Sequence, residues 1–177
     1  GTFTLYVKNL FPTAKIIIFE PVKNNLEMLE KNLNSNPSLN SNITIIPKGL
    51  YSQSGNFYID LSNKQFDAVS LQVDQPGHDE YVTVSAMTFA EAQESYNFST
   101  VDLMKLDIEG AEYVVLKNSI EDISNSVKRL IMEYHPAGAI DKRNELVNNL
   151  ESHNWELIYE NKNILGFGNK KFYNSES

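Results

Sequence analysis

Between Val101 and Ser119 the chain passes from an apolar run to a helical pattern through two acids and a glycine, and that passage limits what can be built around it. Residues 101–106 have the length and composition of a buried strand. The run ends in Asp107, Ile108, Glu109 and Gly110, and a helical pattern follows from Ala111. A strand that feeds straight into a helix is half of a βαβ unit. In open α/β sheets, ligands bind outside the carboxyl ends of the strands. Asp107 and Glu109 therefore stand where a ligand would. The same residues also suit a purely local role, with Asp107 capping the helix and Gly110 easing the turn.

The rest of the chain repeats the alternation. Phe3, Tyr6, Val7 and Leu10 predict a helix within residues 2–11, ended by Pro12. Residues 15–20 read as a buried strand that ends in Glu20, before Pro21 turns the chain. Val22, Leu26, Leu29 and Leu33 then fall on one helical face. Short strands are predicted over residues 43–46, 57–61 and 81–85. The polar stretch 62–79 reads as a surface loop that could act as a lid. Thr88 and Glu91 have capping-box spacing for a helix to about Tyr96. A strand over residues 127–133 ends at Glu133, just before Tyr134 and His135. A helix over residues 139–152 and a hairpin of residues 155–159 and 164–167 follow, and the polar last residues fray. This order predicts an α/β fold with a mostly parallel sheet and antiparallel strands at its C-terminal end.

Size and composition narrow the function. A chain of 177 residues is expected to form a single domain over residues 1–177. A net charge of −8 argues against a nucleic-acid partner, which normally meets a basic face. Without cysteine there is no disulfide, zinc–thiolate or thiol-nucleophile chemistry. No stretch approaches 18 consecutive apolar residues and no signal peptide is visible, so a cytoplasmic protein without a membrane partner is expected. Glycine-rich dinucleotide and P-loop motifs are absent, as is the G-x-S-x-G elbow of hydrolases. An NAD-dependent dehydrogenase is therefore disfavoured.

Three predicted strands end in acids: Glu20, Asp107 with Glu109, and Glu133. An acid after the second strand of a nucleotide-binding fold accepts hydrogen bonds from ribose hydroxyls, a place Glu20 takes if a first strand precedes Gly1. An acidic rim suits a cationic cofactor better than a polyphosphate, and a sulfonium is such a cation. His135, just past a strand end, is placed to take a proton from an acceptor, or else is bound into the turn before Pro136. His78 and His153 read as surface residues. Asp107, Glu109, Glu133 and His135 offer the oxygen and nitrogen donors that Mg²⁺ or Mn²⁺ would use. Their spacing on separate strands is not specific, and no metal is assigned.

Four segments carry a resemblance. They are Ile18-Phe-Glu-Pro-Val-Lys-Asn24 with Asn32; Gly49-Leu50 with Gly55; Asp102-Leu-Met-Lys-Leu-Asp-Ile-Glu-Gly-Ala-Glu112 with Val115-Leu116; and Ile131-Met-Glu-Tyr-His135. In this order and spacing the chain resembles the FkbM-type S-adenosylmethionine-dependent methyltransferases. The resemblance implies a Rossmann-like class I methyltransferase fold that methylates a hydroxyl oxygen. It implies that Gly1, Glu20, Pro21, Gly49, Leu50 and Asp107 bind S-adenosylmethionine, with Glu20 on the ribose and residues 48–50 near the adenine. It puts Asp107, Glu109 and His135 at the chemistry, with Glu133 on the acceptor side.

Two departures stand out. The family's glycine-rich first motif is absent, and Gly1 aligns with its last glycine. The first strand is therefore expected to be missing, and the domain incomplete at its N-terminus. Ser85-Ala-Met-Thr88 replaces a run that often reads Thr-Leu-Asp. The expected acceptor is a small molecule or glycan: a sugar hydroxyl, a polyketide-like natural product or a lipid-linked group. An oligomer is compatible with the sequence. The alternative is a non-catalytic Rossmann-like interaction domain that has lost cofactor binding.

Overall fold

The computed structural model describes residues 1–60, 81–108, 110–135 and 142–173. The predicted loop over 62–79, Glu109 and the start of the helix expected from residue 139 lie outside these residues. Helix α1 (Thr2–Leu10) precedes strand β1 (Ile16–Phe19), helix α2 (Lys23–Asn34) and strand β2 (Ile43–Ile46). β1 and β2 pair in parallel, with Ile16 opposite Ile43 and Phe19 opposite Ile46. α2 crosses between them and buries Leu29 and Leu33, the inner half of its predicted apolar face.

Three strands that follow make a second ladder: β3 (Gly49–Leu50), β4 (Gly55–Asp60) and β5 (Tyr81–Met87). β5 is central, parallel to β3 and antiparallel to β4. The strand predicted over 57–61 begins two residues earlier, and β3, only two residues long, has no periodicity to announce it. Helix α3 (Phe89–Tyr96) opens with the predicted capping box, in which Thr88 Oγ1 accepts from Glu91 N and Glu91 accepts from Thr88 N.

The third ladder holds the opening motif. Strand β6 (Met104–Leu106), helix α4 (Glu112–Ser126) and strand β7 (Arg129–Glu133) form a βαβ unit with β6 and β7 parallel. The predicted strand over 101–106 is regular only in its second half. Val101 makes a single bridge to Val127, and the neighbouring Asp102 turns outward to pair with Lys128 at 2.7 Å. Helix α5 (Arg143–Ser152) then leads to the antiparallel hairpin β8 (Trp155–Asn161) and β9 (Ile164–Asn169), with β9 against β7. A short helix, α6 (Lys170–Tyr173), replaces part of the expected frayed end.

The main core lies between α4, α5 and this sheet. Val115, Leu116 and Ile123 from α4, Leu130 and Met132 from β7, and Leu165 and Phe167 from β9 are all buried in it. Each side chain so removed from water contributes roughly 1.5–3 kcal/mol. Trp155 is fully buried, and its indole donates to Ser124 Oγ at 2.7 Å.

β1 and β6 belong to different ladders, and no strand among the described residues joins them. α1 adjoins both. Its buried Lys8 donates to Pro12 O at 2.5 Å and Ala14 O at 3.0 Å, which satisfies carbonyls between α1 and β1. The apolar residues that predicted α1 are not its buried face, because Phe3, Tyr6 and Leu10 stay exposed while Thr4 and Lys8 are buried. The architecture is the expected α/β arrangement, with parallel pairs β1–β2, β3–β5 and β6–β7 and an antiparallel hairpin at the C-terminal end. No helix among the described residues is long and apolar enough to cross a membrane.

Candidate active site

Parallel pairing sets the geometry of the rim. Leu106, the last residue of β6, lies opposite Met132, so Asp107 and Glu133 emerge side by side at the carboxyl ends of neighbouring strands. His135 follows two residues later. Asp107, Glu133 and His135 place one donor atom each within 4.8 Å of one another, a spacing that a divalent cation could accept. Each side chain is also tied from behind. Lys105 Nζ forms an ion pair with Asp107. Asn163 Nδ2, in the turn of the C-terminal hairpin, donates to Glu133 Oε1 at 2.9 Å. His135 Nε2 lies 3.9 Å from Glu133 Oε1.

Beneath the rim sits Glu112, a fully buried acid in the first turn of α4. Burying a carboxylate is costly unless it is paired and hydrogen-bonded. Here Oε1 accepts from Ile108 N at 2.9 Å, Oε2 accepts from Gly110 N at 3.0 Å, and His135 Nδ1 stands 3.2 Å from Oε1. The positive end of α4 adds to this stabilisation. The local role proposed for Asp107, capping the next helix, is not seen: α4 has no side-chain cap, and Glu112 accepts from N–H groups of the turn that precedes it. Ala111 occupies the N-cap with no side-chain hydrogen bond, while Glu112 reaches back to the turn. Gly110 does what was expected of it, with φ +95°, a backbone region that side chains rarely adopt.

The second site element is a cavity of about 310 Å³ lined by Gly1, Thr4, Ile18, Glu20, Asn25 and Leu29, among others. Glu20 Oε1 is fixed there by Val22 N at 2.9 Å and Asn25 Nδ2 at 3.3 Å. One turn of α1 connects this cavity to the rim. Gly1 and Thr4 line it, while the ring of Phe3 lies 5.5 Å from the Lys105 ammonium that pairs with Asp107.

The expected site residues are thus partly gathered. Gly1 and Glu20 meet in the cavity, with Pro21 next in the chain. Asp107, Glu133 and His135 meet at the rim. Gly49 and Leu50 are buried in β3, Leu50 in the main core, and neither lines the cavity. Glu109 lies outside the described residues. His153 closes α5, its Nδ1 2.8 Å from Asn149 O, away from the rim residues. Sequence reasoning missed Lys105 and Glu112. An acid in a first helical turn ordinarily faces solvent, and nothing in the local pattern signals burial.

Glu91 and Tyr113 are displaced from their ordinary range. The Ser54 hydroxyl, then the Thr88 backbone N–H, hold the Glu91 carboxyl below it. Hydrogen bonding to Glu145 raises the Tyr113 hydroxyl, which links α4 to α5 beside the Lys142 ammonium.

Residues 1–157 match the methyltransferase FkbM domain family. Methyltransferase sdnD of Sordaria araneosa is 27% identical over 167 residues, covering 78% of this chain and 64% of its own length. The crystal structure of methyltransferase FkbM from Methylobacillus flagellatus KT superposes with a TM-score of 0.58 at 16% identity, over 95% of this chain and 40% of that one. The chain therefore spans less than two thirds of each of these relatives, and at 16% identity the second likeness shows the fold alone.

Proposed function

The chain belongs to the FkbM methyltransferase family, and we propose that it transfers the methyl group of S-adenosylmethionine to a hydroxyl oxygen of a sugar, glycan or other natural product. One observation carries this reading. A cavity that holds Glu20 at the end of β1 is linked by a single turn of α1 to a rim where two carboxylates and an imidazole converge. A nucleoside cation and a hydroxyl acceptor call for these two kinds of surface.

The residues present fit the cofactor. Glu20, held by Val22 N and Asn25 Nδ2, is an anchored acceptor for the two hydroxyls of a ribose. Asp107 supplies negative charge for the methionine end, and the Lys105 ion pair fixes where that charge lies. Gly49 and Leu50 are assigned to the adenine side through the backbone of β3, since the Leu50 side chain is in the core. When bound, S-adenosylmethionine supplies a methyl group on a positively charged sulfur, which departs as a neutral thioether as the acceptor oxygen takes the methyl. His135 Nε2 takes the hydroxyl proton, and Glu133 and Glu109 orient the acceptor. Alignment of acceptor and methyl carries much of the remaining rate.

Calorimetric titration of the full-length protein with S-adenosylhomocysteine tests the reading. Saturable binding that weakens in Glu20→Ala is expected. Absence of binding by the folded protein overturns it and favours an interaction domain.

A further inference from the structure

Lys105 and Asp107 form an ion pair that leaves half of its bonding capacity unused. Alternate residues of an extended strand share a face, so Lys105, within β6, and Asp107, just past it, project together, while Leu106 between them is buried in the core. Lys105 Nζ bonds Asp107 Oδ2, with the two side chains 28% and 38% exposed. An ion pair this open contributes little to stability. Among the described residues, neither the ammonium nor the carboxylate has a further hydrogen-bond or ion-pair partner. An ammonium carries three N–H donors and a carboxylate two acceptor oxygens, so both sides keep spare capacity. Glu133 stands beside Asp107, and two acids therefore meet one ammonium here. The Phe3 ring lies 5.5 Å from Lys105 Nζ, and Gly1 and Thr4 on either side of Phe3 line the cavity that holds Glu20. The pair is thus one helical turn from that cavity.

A cation and an anion side by side, each with bonds to spare, complement a ligand that carries both charges. The amino-acid end of S-adenosylmethionine is such a group, with an ammonium and a carboxylate on one carbon. A polyphosphate tail would bring its negative charge against Asp107 and Glu133. An uncharged tail would cover the pair without using its spare donors and acceptor. We propose that Lys105 binds the α-carboxylate of the cofactor while Asp107 receives its α-ammonium, which makes Lys105 a binding residue and not only the group that holds Asp107 in place. Each contact is a charge-assisted hydrogen bond, roughly twice as strong as a neutral one. The inference rests on the methyl-transfer reading for the identity of the ligand. The charge pattern itself belongs to this chain's own residues.

Binding alone reads this out, without turnover or an acceptor. Calorimetry compares S-adenosylhomocysteine with its decarboxylated counterpart, 5′-deoxy-5′-(3-aminopropylthio)adenosine, which keeps the ammonium and lacks only the carboxylate. The unaltered full-length protein should prefer S-adenosylhomocysteine by about tenfold or more, the worth of a hydrogen bond to a charged group. In Lys105→Met that preference should vanish, because affinity for S-adenosylhomocysteine falls while affinity for the decarboxylated ligand holds. Lys105→Arg should retain the preference. Equal losses for both ligands in Lys105→Met would mean that Lys105 only orients Asp107, and would overturn the proposal. Equal affinities in the unaltered protein would overturn it as well, and leave methyl transfer standing. Failure of the folded protein to bind S-adenosylhomocysteine would overturn both. Melting curves establish that Lys105→Met is folded, and Lys105→Gln, uncharged but still a donor, takes its place if it is not.

Discussion

Asp107 and Glu133 stand side by side because Leu106 pairs with Met132 in a parallel ladder. In such a ladder the carboxyl ends of both strands reach one rim, so residues just past each end are neighbours despite the 15-residue helix between them. Two like charges held this close repel unless something compensates. Lys105 on Asp107, Asn163 on Glu133 and the imidazole of His135 supply that compensation.

Asp107→Ala should abolish methyl transfer and leave the fold intact. The Asp107 side chain is 38% exposed and lies outside the core, so little packing is lost. A rate loss of a hundredfold or more, about 2.7 kcal/mol in the transition state, is expected. Release of S-adenosylhomocysteine with a panel of hydroxylated sugars and natural products, alongside thermal melting, checks it. Undiminished turnover at unchanged Tm would refute the assignment.

Glu20→Ala should weaken S-adenosylhomocysteine binding at least tenfold, about 1.4 kcal/mol or more, because hydrogen bonds to a charged group contribute about 1.5–3 kcal/mol. Calorimetry measures it directly. Since Glu20 is held only through Val22 N and the exposed Asn25 amide, the melting temperature should move little.

Much of the fold was legible because hydrophobic period and turn chemistry agree locally. α2, β1, α3 with its Thr88–Glu91 box and the C-terminal hairpin all follow from spacing. β3 was not legible, since two residues define no period, and neither was the antiparallel seat of β4 on β5, which is a tertiary choice. α1 inverts its own signal: spacing found the helix, but the buried face is set by Lys8 and Thr4. At the site, Asp107, Glu133 and His135 were visible as residues past strand ends, and their proximity needed only the strand order. Glu112 was visible only as part of a family-like run, because its burial depends on how α4 docks beneath β7.

Gly110→Ala should destabilise the protein without any steric clash. A Cβ there meets nothing within 4 Å, so the penalty is the φ of +95° alone. A side chain forced into such a region costs of order 1–3 kcal/mol. For a chain of this size, each kcal/mol lowers Tm by roughly 2–4 °C. A Tm unchanged within 1 °C by differential scanning would remove the case for strain.

The Thr88–Glu91 box gives stability a pH signature. The Ser54 hydroxyl first, and the Thr88 N–H second, favour the ionised Glu91 carboxylate, so its folded pKa lies below the ordinary range of a glutamate. A group depressed on folding stabilises the native state above its unfolded pKa, and that contribution is lost as pH falls through the folded pKa. The wild-type chain should therefore lose stability relative to Glu91→Gln between about pH 5 and the acid limit of folding, while the two diverge most near neutrality. Thr88→Ala should cost about 1 kcal/mol at neutral pH by removing the cap on Glu91 N. It should also shrink the Glu91 pH dependence without erasing it, because the Ser54 bond remains. Melting curves of the three proteins across that range separate these effects, and parallel curves for wild type and Glu91→Gln would show that the box carries no ionisation-linked stability.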